Sequence, residues 1–431
     1  MTDVDVSEGG PFKGPALAGR SGEVRVRIEG YRRGKYENGT KIVITGLGHG
    51  AGGLSLRREG LGTAIEKRLI GEREIEIGDP GFDDEYYVQG QAPLALAILE
   101  PETRRRLAGL LRGHVAVEGR EPVDVSATLV EGVLEVRVKE SGFSGRREHV
   151  PAILAEALDV ARRLVAPTDV AARIAENLRV ETEPGARLQA VLALAREFFP
   201  HPVTRATLLA ARGDASDEVR LRSAMALGEE GRETLLDLVG RTGTDDASAA
   251  RAIEALGERL PEGLGEATLR RALDAGRSST AQACLEALGR LGRAGAEGLL
   301  IEALRSRDSE VQAAAARALG RVGTVAAVPA LHEATAPHGD LLRSVARQAI
   351  AGIQARLAGA EPGQLSLAGG EAGRLSLADG EPGSLSLSDE DVVPKDSLEA
   401  GENVVPRDSR VADEGAVPRD SRVADREGSP H

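Results

Sequence analysis

DEVRLRSAMALG at residues 217–228 and DSEVQAAAARALG at 308–320 share one pattern: an acidic start, small and aliphatic residues at helical spacing, and a closing Ala-Leu-Gly. The closing triplet recurs as Ala193-Leu194-Ala195, Ala226-Leu227-Gly228, Ala255-Leu256-Gly257, Ala287-Leu288-Gly289, Ala318-Leu319-Gly320 and Ala349-Ile350-Ala351, at spacings of 33, 29, 32, 31 and 31. A period near 31 marks stacked supersecondary units. Asp217 and Asp308 stand where a helix N-cap or first turn favours an acid, and Gly228 and Gly320 where a helix stops. Each is followed by a second short apolar helix: RETLLDLVG, LGEATLRRALDAG, GAEGLLIEALRSR and VAAVPALHEATA. Neither helix of such a pair buries its apolar stripe alone, so neighbouring units must stack.

These units, D-x-x-V-R-x-x-x-A-x-A-L-G followed by a leucine-rich helix, resemble bacterial HEAT repeats of the short class also found in phycobilisome-lyase-like proteins. The resemblance implies an all-α, HEAT-like solenoid over 167–357, with about five repeats plus a terminal helix at 340–357. It is specific for fold and carries little about activity.

Composition changes at VAPTDV (165–170) and again at LAGAEPG (357–363). Before the first change, EVRVRIE (23–29), KIVIT (41–45), REIEIG (73–78), VDVSATLV (123–130) and VLEVRVK (133–139) read as strands. Residues 93–113 and 147–165 have helical spacing, with Pro101 interrupting the first. The expectation is a flexible N-terminus at 1–22 and an α+β domain at 23–166. LRREGLGTAIEKRL (56–69), IEIGDPGFDDEYYVQG (75–90) and LAILEPETRRRL resemble an uncharacterised bacterial domain, a likeness that brings no activity with it. Relatives of that domain often have membrane-spanning segments beside it; no stretch here reaches the ~18 consecutive apolar residues a spanning helix needs.

The formal charge is −13. Residues 358–431 hold 16 acidic and 7 basic side chains, a net −9, which leaves −4 for the rest. A folded part this near neutrality lacks the net basic footprint that drives nucleic-acid binding by counterion release. The tail repeats EPGQLSLAGG, EAGRLSLADG and EPGSLSLSDE, then VVPKDS, VVPRDS and AVPRDS. Its Gly, Pro, Ser and acidic composition predicts a disordered, low-complexity segment. The LSL and VP[KR]DS triplets read either as multivalent motifs or as tolerated expansions. A single cysteine and the absence of a leader pattern point to the cytoplasm.

Four features carry candidate chemistry. Gly48, Gly50 and Gly53 after KIVIT spell G-x-G-x-x-G, the spacing of a dinucleotide-binding turn. Its context points elsewhere: Asn38-Gly39 is a hairpin-turn signal pairing KIVIT with VRVRIE, and LSLRREGLG after it alternates like a strand. Asp79, Asp83, Asp84 and Glu85 beside Tyr86 and Tyr87 lack the alternating ligands and glycine of an EF-hand loop, so a solvated turn anchored by Phe82 is expected. His49, His114, His149, His201, His332, His338 and His431 show no paired metal spacing. Only His332-Glu333 matches the His-Glu pairs of HEAT-repeat di-iron hydroxylases. The repeat region has no Trp or Tyr, which sets it apart from HEAT-like DNA glycosylases and offers little to stack on a lyase's tetrapyrrole. Cys284 in TAQACLEALG falls on an apolar helix face, where burial raises a thiol's pKa.

No catalytic, cofactor-binding or metal residue is assigned. The expected function is a non-enzymatic protein–protein interaction scaffold or adaptor, its concave face lined by second helices, with a protein partner, no nucleic acid and no membrane insertion. Arg220, Arg251, Arg290, Arg317 and Arg321 would serve chiefly as inter-repeat bridges to Asp217, Asp246 and Asp308. The alternative is a small-molecule- or nucleotide-binding enzyme sited around Gly48–Gly53 and Asp79–Tyr87, with the solenoid recruiting substrate.

Overall fold

Alternation builds the first half. In a computed structural model, which describes residues 2–7, 16–33, 37–50, 53–58, 74–115, 123–140, 149–334, 340–356, 365–367 and 375–377, Val24 and Val26 are buried while Arg25 and Arg27 are exposed. One face of the strand therefore meets the core and the other meets water. The strands are β1 (Thr2–Ser7), β2 (Ala16–Ser21), β3 (Val24–Arg33), β4 (Glu37–Thr45), β5 (Ser55–Arg58), β6 (Tyr86–Gln89), β7 (His114–Val115), β8 (Val123–Val130) and β9 (Val133–Glu140). They form one antiparallel sheet in the order β1-β2-β3-β4-β9-β8-β5-β6, with β7 pairing β8. Short helix α1 (Pro80–Asp83) precedes β6; α2 (Ala92–Ile98), α3 (Pro101–Arg112) and α4 (Val150–Arg163) follow later in the chain. Pro101 interrupts the 93–113 stretch as expected: α2 ends at Ile98, and Pro101 opens α3, where a first-turn proline forfeits no helical hydrogen bond. Helix α3 packs on β8 and α4 on β4 and β9, burying Ile42, Ile44, Val136, Ile153, Ala157 and Val160 together.

Three expectations change in the sheet domain. Within 1–22, expected as a flexible lead-in, the described stretches are strands: Ala16–Ser21 pairs with β3 along its length, and Thr2–Ser7 pairs with Ala16–Ser21. Asn38-Gly39 is not the hairpin turn. Asn38 pairs with Arg32 and Gly39 with Tyr31 inside the ladder, and a Cβ at Gly39 would lie 2.1 Å from the Val138 carbonyl oxygen. The glycine serves close strand approach. Among its described residues, REIEIG forms no ladder strand; Glu74–Ile77 is joined to β6 by Ile75 N–H donating to Val88 O at 3.0 Å, and the chain turns away at Gly78. The tail expectation and its VP[KR]DS triplets lie outside the described residues, apart from β10 (Leu365–Leu367) and β11 (Leu375–Leu377), which pair antiparallel.

The helical stack begins with α5 (Val170–Asn177). First helices of the units are α6 (Pro184–Glu197), α8 (Asp217–Leu227), α10 (Asp246–Leu256), α12 (Ser278–Arg290) and α14 (Ser309–Val322), with α16 (Asp340–Arg356) ending the series. Second helices are α7 (Pro202–Ala211), α9 (Arg232–Gly240), α11 (Leu264–Asp274), α13 (Glu297–Ala303) and α15 (Val328–Glu333). Their cores fuse from Leu221 to Ile353.

The sheet domain and the stack share a core that runs from Val24 to Leu194. Gly78 and Gly185 touch backbone to backbone: a Cβ on either would lie 2.3 Å from the other's backbone. Nearby, Asn177 Nδ2 donates to Leu96 O (3.1 Å) and Ala97 O (2.8 Å). Arg104, only 4% exposed, donates to Asp79 through Nε at 2.9 Å and to both oxygens of Glu181 at 2.9 and 3.1 Å. Burial works against its charge, but Glu181 and Asp79 outweigh burial and hold its pKa above the usual value. The solenoid thus grows directly from the sheet domain.

Candidate interaction surface

The glycine run is a structural clasp. β4 is antiparallel to both β3 and β9, and Gly53 leads into strand β5, so no βαβ unit forms there. Leu47 is buried and its carbonyl accepts from Ala166 N at 2.8 Å. His49 Nε2–H donates to Leu164 O at 2.6 Å while Nδ1 accepts from Leu54 N–H at 3.3 Å. Those two roles require the neutral ring, and burial lowers the pKa accordingly. Gly53 lies against the β8–β9 turn, where a Cβ would meet Glu131 backbone at 2.7 Å.

The carboxylates at 79–85 hold the fold. Asp79 caps α1, accepting from Phe82 N–H at 3.2 Å, and pairs with Arg104. Asp83 accepts from Ile77 N–H (3.0 Å) and Gly78 N–H (2.7 Å); burial raises its pKa against those two donors. Glu85 takes Arg112 at 2.5 Å and Arg58 at 3.5 Å, whereas Asp84 is exposed. Phe82 and Tyr86 pack with ring centroids 5.0 Å apart, and Tyr87, next to Tyr86 on β6, is also buried. The other described histidines are dispersed. His149 and His201 sit at the starts of α4 and α7, His332 is on α15 and His114 opens β7; His338 and His431 lie outside the described residues.

Within the solenoid, aspartates join successive units. Asp217, in the first turn of α8, accepts from Asp245 N–H at 2.9 Å and pairs with Arg241, so it secures the start of α10. Asp246 accepts from Ser279 N–H and Thr280 N–H, both at 2.9 Å, at the start of α12. Asp308 caps α14 through Glu310 N–H at 2.8 Å, and a hydrogen bond from Ser278 one unit back leads the effects that lower its pKa. The arginine partners differ from those expected. Arg251 reaches back to Glu218 (2.8 Å) and Arg317 to Glu286 (3.6 Å), while Arg220 pairs with Asp237 and, at 3.6 Å, with Asp217 of its own helix. Arg290 and Arg321 are exposed and join no ion pair among the described residues. Glu218, the residue after Asp217 in the first turn of α8, takes Arg251, while Asp217 is committed to Asp245 N–H and Arg241.

Successive first helices approach more closely than successive second helices. Small residues make this possible: a Cβ at Gly289 would lie 3.0 Å from Ala318 Cα, and one at Gly320 would lie 2.9 Å from Ala349 Cα. The first helices are thus the more tightly packed layer of the stack, whereas the sequence pattern alone points to second helices for the binding face. On these helices, one equivalent position holds Ser223, Ala252, Cys284, Ala315 and Ala346, all small and buried. Cys284 is one member of that column, and burial lifts its thiol to about 12. Two residues further on, the equivalent position holds Met225, Glu254, Glu286, Arg317 and Gln348, all exposed. Packing dictates the first column and leaves the second free. Met225, 44% exposed, is the apolar member of the exposed column.

Among known proteins, residues 266–351 match the family model of HEAT repeats. No curated protein matches the chain. A crystal structure of an engineered protein from the Northeast Structural Genomics Consortium is similar at 20% identity and a TM-score of 0.27, covering 48% of this chain; the match spans 66% of that structure's length. The family match runs from α11 into α16, so this part of the solenoid is similar to HEAT repeats.

Proposed function

We propose that the protein is a non-enzymatic interaction scaffold that binds a protein partner along the first-helix face of its solenoid, in the cytoplasm, with repeats of the phycobilisome-lyase-like short class. The observation that supports this most is the contrast between the two columns. Five equivalent buried positions keep one small size, while five equivalent exposed positions carry Met, Glu, Glu, Arg and Gln. A face whose composition packing does not constrain, set on a rigid core, is how solenoids vary partner choice without altering fold. Met225 supplies the apolar anchor and Arg317 a charged contact flanked by Glu286.

The test is capture of partners from the native cell with the full-length chain and with a Met225→Glu/Arg317→Glu variant of matched circular dichroism and thermal midpoint. The expected result is loss of at least one partner that the unaltered chain retains reproducibly. An identical partner set for both proteins contradicts the proposal.

A further inference from the structure

The outer face of the sheet, turned away from α3 and α4, has an unusual charge pattern. Lys41 bridges Glu29 (3.7 Å) and Glu135 (3.1 Å), Arg27 also takes Glu29 at 2.9 Å, and Arg137 also takes Glu135. The two glutamates are thereby shared among three cations. Arg20 and Arg25 have no such acid. They stand directly opposite each other across the β2–β3 pair, both exposed, and neither joins an ion pair among the described residues. Like charges directly opposite on adjacent strands destabilise a sheet. With Arg27, Val43, Thr45 and one acid, Asp5, they line an open groove of about 530 Å³.

We infer that this arginine groove is an anion-binding surface whose occupant is the chain's own acidic C-terminal segment, seated through the run Asp389-Glu390-Asp391. Charge complementarity selects this occupant: the chain beyond Leu357 carries −9, against −4 for everything before it. Carboxylates suit guanidinium groups, which donate to them bidentately. Tethering adds to this, because a segment on the same chain sits at an effective concentration in the millimolar range when its linker spans the gap. Six first helices from α6 to α16, spaced about 8–10 Å apart, make a stack of about 45 Å. With Leu365–Leu367 paired back onto Leu375–Leu377, the residues between Arg356 and Asp389 still extend to about 75 Å, so the segment outreaches the stack by more than half. An external anionic partner would have to displace the segment, which makes the tail a competitor for the groove.

Pulsed electron paramagnetic resonance on the full-length chain tests this. Nitroxides are placed at Thr128→Cys, exposed on the same sheet face, and at Ser388→Cys; the native Cys284 is buried and its thiol lies at about 12, so it stays unlabelled. The expected result at low ionic strength is a short-distance population that is lost near 1 M salt, where the screening length falls to about 3 Å. It should also be lost in Arg20→Glu/Arg25→Glu and in Asp389→Asn/Glu390→Gln/Asp391→Asn, the latter leaving the folded region untouched. Added inorganic polyphosphate should displace it. A distribution that ignores salt and both sets of substitutions overturns the inference. So does a short distance seen only between differently labelled chains, which would make a second copy the occupant, or polyphosphate binding to a groove the tail never visits.

Discussion

His49 shows how a single side chain can close a connection that resembles a ligand loop. Its neutral ring, 115 residues from Leu164 in sequence, joins Leu164 O to Leu54 N–H, and the folded-state pKa is lowered by burial. The unfolded chain therefore binds more protons than the folded one as pH falls below the ordinary histidine value near 6.5. The contribution is complete above that value and is lost as pH drops toward the folded pKa. Thermal midpoints at pH 7.5 and 5.5 should fall further for the unaltered protein than for His49→Gln, whose amide can donate and accept in the same places without titrating. Equal falls in both would remove His49 from the acid response. In the sequence, the glycine run is legible as a connection through its neighbours, but the histidine's role is not. Its partners lie on the turn into β5 and at the end of α4, and spacing along the chain cannot show that they meet.

Helices reveal which parts of the pattern are strict. Gly320 is fixed by the approach of α16, so Gly320→Leu should destabilise the protein by about 1–3 kcal/mol through overpacking. Gly109, in the middle of α3, has open space within 4 Å of where a Cβ would stand, and Gly109→Ala should stabilise by roughly 0.5–1 kcal/mol through helix propensity. Denaturant midpoints of the two variants check both signs; a neutral Gly320→Leu would mean the first helices are not packed through this contact. The Ala-Leu-Gly triplets make the stacked units visible because every first helix meets the same packing constraint. Which layer packs more tightly stays hidden because it depends on spacing between neighbouring units, which no single unit encodes. Strand register is hidden for a similar reason: Asn38-Gly39 has turn chemistry locally, yet Val138 on β9 decides its place in the ladder.

Across the molecule, Gly78 against Gly185 and Arg104 between Asp79 and Glu181 seat the sheet domain on the first solenoid units. The near-neutral sum over the folded part conceals segregation: an arginine groove on the sheet, a mixed ladder on the first helices and an acidic tail beyond them. Net charge alone cannot reveal this, since cancellation hides local excess. The central claim is that the partner binds the first-helix layer. Hydrogen exchange of the full-length chain, alone and bound to the partner captured with it, tests that claim most directly. The account expects added protection in α8, α10, α12 and α14, with α9, α11, α13 and α15 unchanged. Protection confined to the second helices, or to the sheet domain, would contradict it.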